Sequence, residues 1–192
     1  NELTGTVMRY DYDRFDFLIR QETVQGSETD VIYRVPDFVG NLFETPDKKD
    51  RKYGAGGKLL EDPDCFYHYD DEGNLIFREF KQLQETGVRF DRKRMEKERG
   101  IRCLATGTGW LYEWSSNGML KKVIRPDGRL VEFRYDALGR RTAKRYFGKI
   151  TRWVWNGNVP IHEWSYKAIG LQSEEEGNIP PKEPAEDVTT RS

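Results

Sequence analysis

Apolar and polar residues alternate with a period of two along most of this chain, the pattern of half-buried β-strands. The clearest stretch is Arg125-Pro-Asp-Gly-Arg-Leu-Val-Glu-Phe-Arg-Tyr-Asp-Ala-Leu-Gly-Arg-Arg141. Val131, Phe133 and Tyr135 fall on one face of a strand, and Glu132 and Arg134 on the other. Pro126-Asp127-Gly128 before it is a tight turn, with Pro pre-setting φ and Gly free to take φ > 0. Asp136-Ala137-Leu138-Gly139 after it turns the chain into a strand running from Arg141 toward Phe147.

The same unit recurs with variations, which predicts a repeat architecture. Cys65 to Phe77 is a second copy: Tyr67 and Tyr69 share a face, Asp70 and Gly73 frame the turn, and Leu75 begins the return strand. Gly109 to Leu120 is a third, with Trp110, Tyr112 and Trp114 alternating before a turn over Ser115 to Gly118. Trp114 and Tyr135 stand 21 residues apart and Tyr69 and Trp114 45, one period and slightly over two. A period near 20 accommodates a strand, a turn and a return strand. Trp153 and Trp155 share a face before an Asn-Gly turn, and Val159 to Tyr166 is the last predicted strand.

Upstream, Phe15, Phe17 and Ile19 alternate with Asp16, Leu18 and Arg20, predicting a half-buried strand from Phe15. Val31 to Val35 predicts a short strand stopped by Pro36, and Asp37 to Gly40 repeats the Asp-x-x-Gly turn. One segment breaks the β pattern. Asp91 to Gly100 has an N-cap Asp, a terminal Gly and i,i+4 pairs Arg92–Glu96 and Arg94–Glu98, predicting a short polar helix over about 91–99. From residue 168 to 192 the chain turns acidic and proline-rich without periodicity, the composition of a disordered tail. The expected layout is an all-β meander of twisted antiparallel hairpins over 1–167, with one inserted helix, and the tail over 168–192.

Composition fits sheets with rings on one face and charge on the other. Charged residues make up 34% and hydrophobic residues 36%, with ten Tyr, ten Phe and five Trp. A net charge of −1 gives no global pull toward nucleic acid or an anionic membrane. No long apolar run marks a transmembrane helix. Cys65 and Cys103 make no disulfide framework and read as free thiols.

Candidate chemistry is thin. A Cys/His zinc site would need Cys65, His68, Cys103 and His162, yet Cys65 and His68 point to opposite faces of a strand. An EF-type calcium loop before Gly73 would need an acid where His68 stands. Gly54 to Lys58 lacks the spacing and the Ser or Thr of a phosphate loop, and Gly107-Thr108-Gly109 lacks the third Gly of a dinucleotide site. No nucleophile elbow occurs, and no carboxylate pair stands out. The sequence therefore predicts no enzyme, no cofactor and no metal. Trp110, Tyr112, Trp114, Trp153 and Trp155 read as a buried face; a sugar- or peptide-stacking surface is the alternative.

These residues resemble the YD repeats of the Rhs (rearrangement hotspot) family: aromatic, any residue, Tyr-Asp, two residues, Gly, Arg or Asn, Leu. Phe133-Arg-Tyr-Asp-Ala-Leu-Gly-Arg140 and Tyr67-His-Tyr-Asp-Asp-Glu-Gly-Asn-Leu75 match closely. Tyr112 to Leu120 departs at the Tyr-Asp pair, and Tyr10-Asp-Tyr-Asp13 lacks the following Gly. The resemblance covers about residues 30 to 166 and implies a section of β-sheet shell that encapsulates a C-terminal toxin in a secreted polymorphic-toxin parent. The motif residues it points to are Tyr67, Tyr69, Asp70, Gly73, Trp114, Gly118, Phe133, Tyr135, Asp136 and Gly139. The implied partners are the rest of the parent shell and the enclosed toxin, with no nucleic acid and no membrane insertion; the parent is expected to be secreted or at the cell surface. The similar teneurins imply the alternative of cell-surface adhesion, and the aromatic face that of a carbohydrate-binding module. The Asp-Pro-x-Gly-Leu stretch that ends the Rhs core is not found, so self-cleavage is not carried over. A section of shell has open strand edges, through which self-association is expected.

Overall fold

The computed structural model describes residues 5–84, 87–168 and 189–191. The chain divides into two compact units, Asn1–Tyr67 and His68–Ser192. Both are built of antiparallel β-structure, as the alternation predicts.

In the first unit β1 (Thr6–Tyr12), β2 (Leu18–Gln25) and β3 (Glu28–Tyr33) form a three-stranded meander. Arg9 pairs with Glu22 and Asp11 with Arg20 across β1 and β2, each as an ion pair of 2.9 Å. The strand expected from Phe15 begins only at Leu18, and Phe15 and Phe17 are exposed. The Asp13 carboxylate accepts the N–H groups of Phe15 and Phe17, which draws both into a turn. Two short hairpins follow, β4 (Val35–Pro36) with β5 (Leu42–Phe43), and β6 (Lys52–Tyr53) with β7 (Leu59–Glu61). Pro36 does not stop a strand here: β3 ends at Tyr33, and Pro36 pairs with Leu42 in a two-residue edge ladder, where its missing N–H is tolerated. Phe43 is buried edge-on against Tyr53. The boundary between the units falls within β8 (Cys65–Tyr69).

In the second unit each strand lies beside its predecessor. β9 (Leu75–Phe80), β10 (Gly109–Trp114), β11 (Leu120–Ile124), β12 (Leu130–Tyr135), β13 (Arg141–Tyr146), β14 (Lys149–Asn156) and β15 (Val159–Lys167) follow in strict sequence order. The register sets Phe77 opposite Leu111, Leu111 opposite Ile124, and Ile124 opposite Leu130, so these share one face. Residues 169–188 and 192 of the expected tail lie outside the described residues. Thr189–Arg191 form a further strand, β16, paired with β15, so Val159–Lys167 is not the last strand.

The inserted helix α1 (Arg92–Arg99) forms where its caps predict. The Arg94 N–H donates to the Asp91 carboxylate at 3.0 Å, and Gly100 takes the left-handed conformation that ends the helix. Arg94 pairs with Glu98, but Arg92 turns away from Glu96 and donates to the Ala105 carbonyl. Met95 is the helix's one apolar residue, and it is buried in a core with Phe77, Ile101 and Leu111. A helix this short and polar is marginal alone, so that contact and the caps hold it. Cys65 and Cys103 are both free thiols. Among the described residues no helix is long and apolar enough to cross a membrane.

Candidate functional site

The repeated feature is one turn made several times. At Asp70 the N–H donates to the Asn74 carbonyl and Gly73 N–H donates to the Asp70 carbonyl, both at 3.0 Å. The same two bonds recur at Ser115 with Met119 and Gly118, at Arg125 with Arg129 and Gly128, and at Asp136 with Arg140 and Gly139. In each the fourth residue must enter the left-handed region: φ is 89° at Gly73, 75° at Gly118 and 76° at Gly139. Glycine adopts it without a Cβ clash. Each turn joins adjacent antiparallel strands, with a register shift one residue before it at Trp114 and Tyr135.

The first turn residue does a second job. Asp136 Oδ1 accepts the N–H groups of Leu138 and Arg140, and its Oδ2 accepts Arg140 Nε at 2.7 Å. Asp70 repeats this with the backbone and side chain of Asn74. Hence the Arg or Asn after the Gly: its side chain returns to the carboxylate that begins the turn. The Arg140 guanidinium holds the Asp136 carboxyl below its usual range. Burial pushes the Asp70 carboxyl up, but its bonds from Asn74, Gly73 and Glu72 outweigh that and leave it lowered.

Three further copies stand in the first unit, at Asp37 with Asn41 and Gly40, at Gly54 with Lys58 and Gly57, and at Asp13 with Phe17 and Asp16. The last of these completes Tyr10-Asp-Tyr-Asp13 without a glycine. Asp16 occupies the left-handed position at φ 62°, which Asp tolerates better than most residues. Two aspartates three apart, between alternating stretches, are the signal that could have located it.

The aromatic motif positions are half-buried rather than sealed in a core: Tyr67, Tyr69, Trp114, Phe133 and Tyr135 all keep some exposure. Tyr67 donates to Asp62 at 2.6 Å, Trp114 Nε1 donates to the Leu75 carbonyl, and the Arg141 guanidinium sits 4.6 Å over the Phe133 ring. Trp110, Tyr112, Trp153 and Trp155 are likewise half-buried, so the five rings form neither a closed core face nor a freely exposed one. Trp153 and Trp155, whose N–H groups are tied to Glu163 and the Arg141 carbonyl, line an open cleft of about 510 Å³ with Tyr135, Arg140, Arg141 and Pro160.

One buried ionisable group was not anticipated. Glu79 alternates with Leu75 and Phe77 on β9 and is fully buried. Its Oε2 lies 3.1 Å from His68 Nε2 and accepts Leu104 N–H, while Oε1 accepts the N–H groups of Ala105 and Gly107. Burial pushes the carboxyl up, but these four contacts, His68 foremost, hold it down at about 2. Burial, helped by the charge of Glu79, pushes the Cys103 thiol up.

The Gly107-Thr108-Gly109 stretch now has a physical account. Gly107, left-handed at φ 69°, aims its N–H at Glu79, and a Cβ on Gly109 would stand 2.0 Å from the Arg78 carbonyl oxygen. The group works as an internal anchor for the segment after α1, with its acceptor sites occupied from within. Among the described residues no cluster of three or more His, Cys, Asp or Glu could hold a metal ion. Cys65 is buried, and His68 on the same strand turns to Glu79.

The turn geometry and the alternating strands are those of a repeat, and residues 114–154 match the family described as RHS Repeat. The chain carries an RHS repeat over those residues. It is 33% identical over 104 residues to the Probable deoxyribonuclease RhsB of Dickeya dadantii (strain 3937), covering 53% of this chain and 6% of that protein. The Probable deoxyribonuclease RhsA of the same organism is 32% identical over the same shares. The chain thus spans only a small fraction of the length of these Rhs relatives. Among solved structures it is similar to a chain of the Photorhabdus luminescens Tc holotoxin pore, at 16% identity and a TM-score of 0.29, over 87% of this chain and 12% of that one. A score that low carries no argument.

Proposed function

We propose that this chain is a structural section of an Rhs-type shell that encloses a C-terminal toxin segment of a longer, secreted or surface-located parent, with no catalysis of its own. The observation that carries this reading is the repeated turn. Each copy hands the chain to the next antiparallel strand in sequence order, the means of extending one sheet indefinitely. The remaining ionisable centre, Glu79, has its acceptor sites filled by the protein and serves the fold. The test is limited proteolysis of the longer parent with and without residues 114–154. The downstream segment should resist protease in the intact parent and become sensitive when the repeats are removed; equal resistance in both would overturn the reading.

The cleft lined by Trp153 and Trp155 supports a second reading, a carbohydrate-binding module, because two indoles fixed by their N–H groups stand in its wall. Binding on a glycan array that is lost in Trp155→Ala would support it, and an empty array would remove it.

A further inference from the structure

The cleft on β12–β15 carries a charge that its rings do not account for. Its volume of about 510 Å³ falls within the range of small-ligand sites. Tyr135, Trp153, Trp155 and Pro160 give it an apolar wall, and Arg140 and Arg141 stand in the same wall. No Asp or Glu is among its described lining residues. The two arginines are not equivalent. Arg140 is occupied within the fold: its guanidinium pairs with Asp136 at 2.7 Å and donates to the Gly157 carbonyl. Arg141 is exposed, and its guanidinium lies 4.6 Å over the Phe133 ring. A ring face holds the guanidinium plane but leaves its N–H groups without acceptors. Among the described residues no carboxylate pairs with Arg141. Glu163, which touches the lining, accepts the Trp153 Nε1–H at 2.7 Å instead.

We propose that this cleft binds a carboxylate-bearing saccharide, a uronate unit of a glycan, with Arg141 taking the carboxylate and the indoles taking the sugar ring. The inference rests on the carbohydrate-binding reading of the same cleft and adds the charge of the sugar. Rings alone would suit a neutral sugar or a quaternary ammonium group equally. A guanidinium without a counter-charge repels the second and is left unneutralised by the first. A carboxylate satisfies it, because the planar fork of donors matches two oxygens at once. Asn158 in the wall carries an amide that both donates and accepts, which suits hydroxyl groups. Both indoles are held before any ligand arrives, Trp153 by Glu163 and Trp155 by the Arg141 carbonyl, so binding orders little. The second of these bonds ties a stacking ring to the main chain of the residue that takes the charge.

Isothermal titration calorimetry on the full 192-residue chain tests the assignment, with far-UV circular dichroism to show that each variant folds. The probes are a hyaluronan hexasaccharide, its methyl ester, sialyllactose and polyphosphate. The hexasaccharide should bind, and the ester, which keeps the rings and loses the charge, should bind roughly tenfold or more weakly. Arg141→Gln should erase that difference. Arg141→Lys should restore part of it, since the charge returns without the fork. Tighter binding of sialyllactose than of the hexasaccharide would overturn the uronate assignment, and equal binding of polyphosphate would reduce the site to charge alone and overturn it too. Equal binding of hexasaccharide and ester sinks the inference but leaves the carbohydrate reading in place, whereas no binding of any saccharide removes both. None of these results bears on protease protection in the longer parent, so the shell reading stands or falls separately.

Discussion

β1–β3 and β9–β11 are antiparallel meanders written in the same alternating pattern, yet only one of them is covered. No residue of β1–β3 is buried. β9–β11 bury Phe77, Glu79, Leu111 and Val123, with Met95 of α1 and Ile101 packed on the same core. The difference is the inserted segment between β9 and β10. It brings an apolar residue on a helix, and it brings a loop whose N–H groups surround Glu79. Alternation makes strands, but burial needs a second layer, and here that layer is fastened by a charge.

The sharpest way to break the covered meander is therefore to remove the fastener. Glu79→Ala leaves the N–H groups of Leu104, Ala105 and Gly107, the last of them buried, without their acceptor and should cost about 3–5 kcal/mol. Urea melts followed by tryptophan fluorescence would show it. Hydrogen exchange should place the loss on β9 and β10 and spare β1–β3.

Acid should act on the same contact. The Glu79 carboxyl sits at about 2 when folded and rises to its ordinary range when the chain unfolds, so the folded state prefers the ionised form. That preference is fully present above about pH 5 and is lost as pH falls toward 2, a loss of about 3 kcal/mol. Exchange protection on β9–β10 measured from pH 6 to pH 3 should fall steeply with acid. In Glu79→Gln the same titration should flatten.

The turns carry a smaller but more widely distributed effect. Gly139→Val forces a β-branched residue to φ 76° and brings a Cβ to within 3.0 Å of the end of the Met119 side chain. Met119 can move; the backbone angle cannot, and the cost should be about 1–3 kcal/mol. An unchanged urea midpoint would show that the β12–β13 turn has another route.

Strands and turns were legible because both are local. The Asp-x-x-Gly spacing places Asp70 and Asp136 at turns, its Ser-x-x-Gly variant places Ser115 at another, and Asp91 with Gly100 brackets the helix. Glu79 was not legible. An acid on a strand reads as a solvent-facing residue, and its partners, Leu104 to Gly107, lie far along the chain in a stretch without periodicity. Phe15 and Phe17 misled for the converse reason: their alternation suits a strand, but the Asp13 carboxylate bonds both N–H groups and draws them into a turn. Arg92 failed as a helix pair because the Ala105 carbonyl competed for it.

The smallest expected effect isolates the turn from everything around it. Asp16 fills at φ 62° the position that Gly40, Gly73, Gly118 and Gly139 fill elsewhere, in a turn with the same two backbone bonds. Its own strands bury nothing, so a change in turn strain is not masked by a change in packing. Asp16→Gly removes the Cβ from the left-handed region, a gain, but also gives the unfolded chain more freedom, a loss that offsets part of it. The net should be a stabilisation of about 0.5 kcal/mol, read as higher exchange protection of the β1–β2 amides. Asp16→Ala should go the other way, since alanine keeps the Cβ and loses the tolerance that Asp has for this conformation. Should both variants lower protection, the Asp16 carboxylate itself holds the turn, and the first unit departs from the repeat in chemistry as well as in sequence.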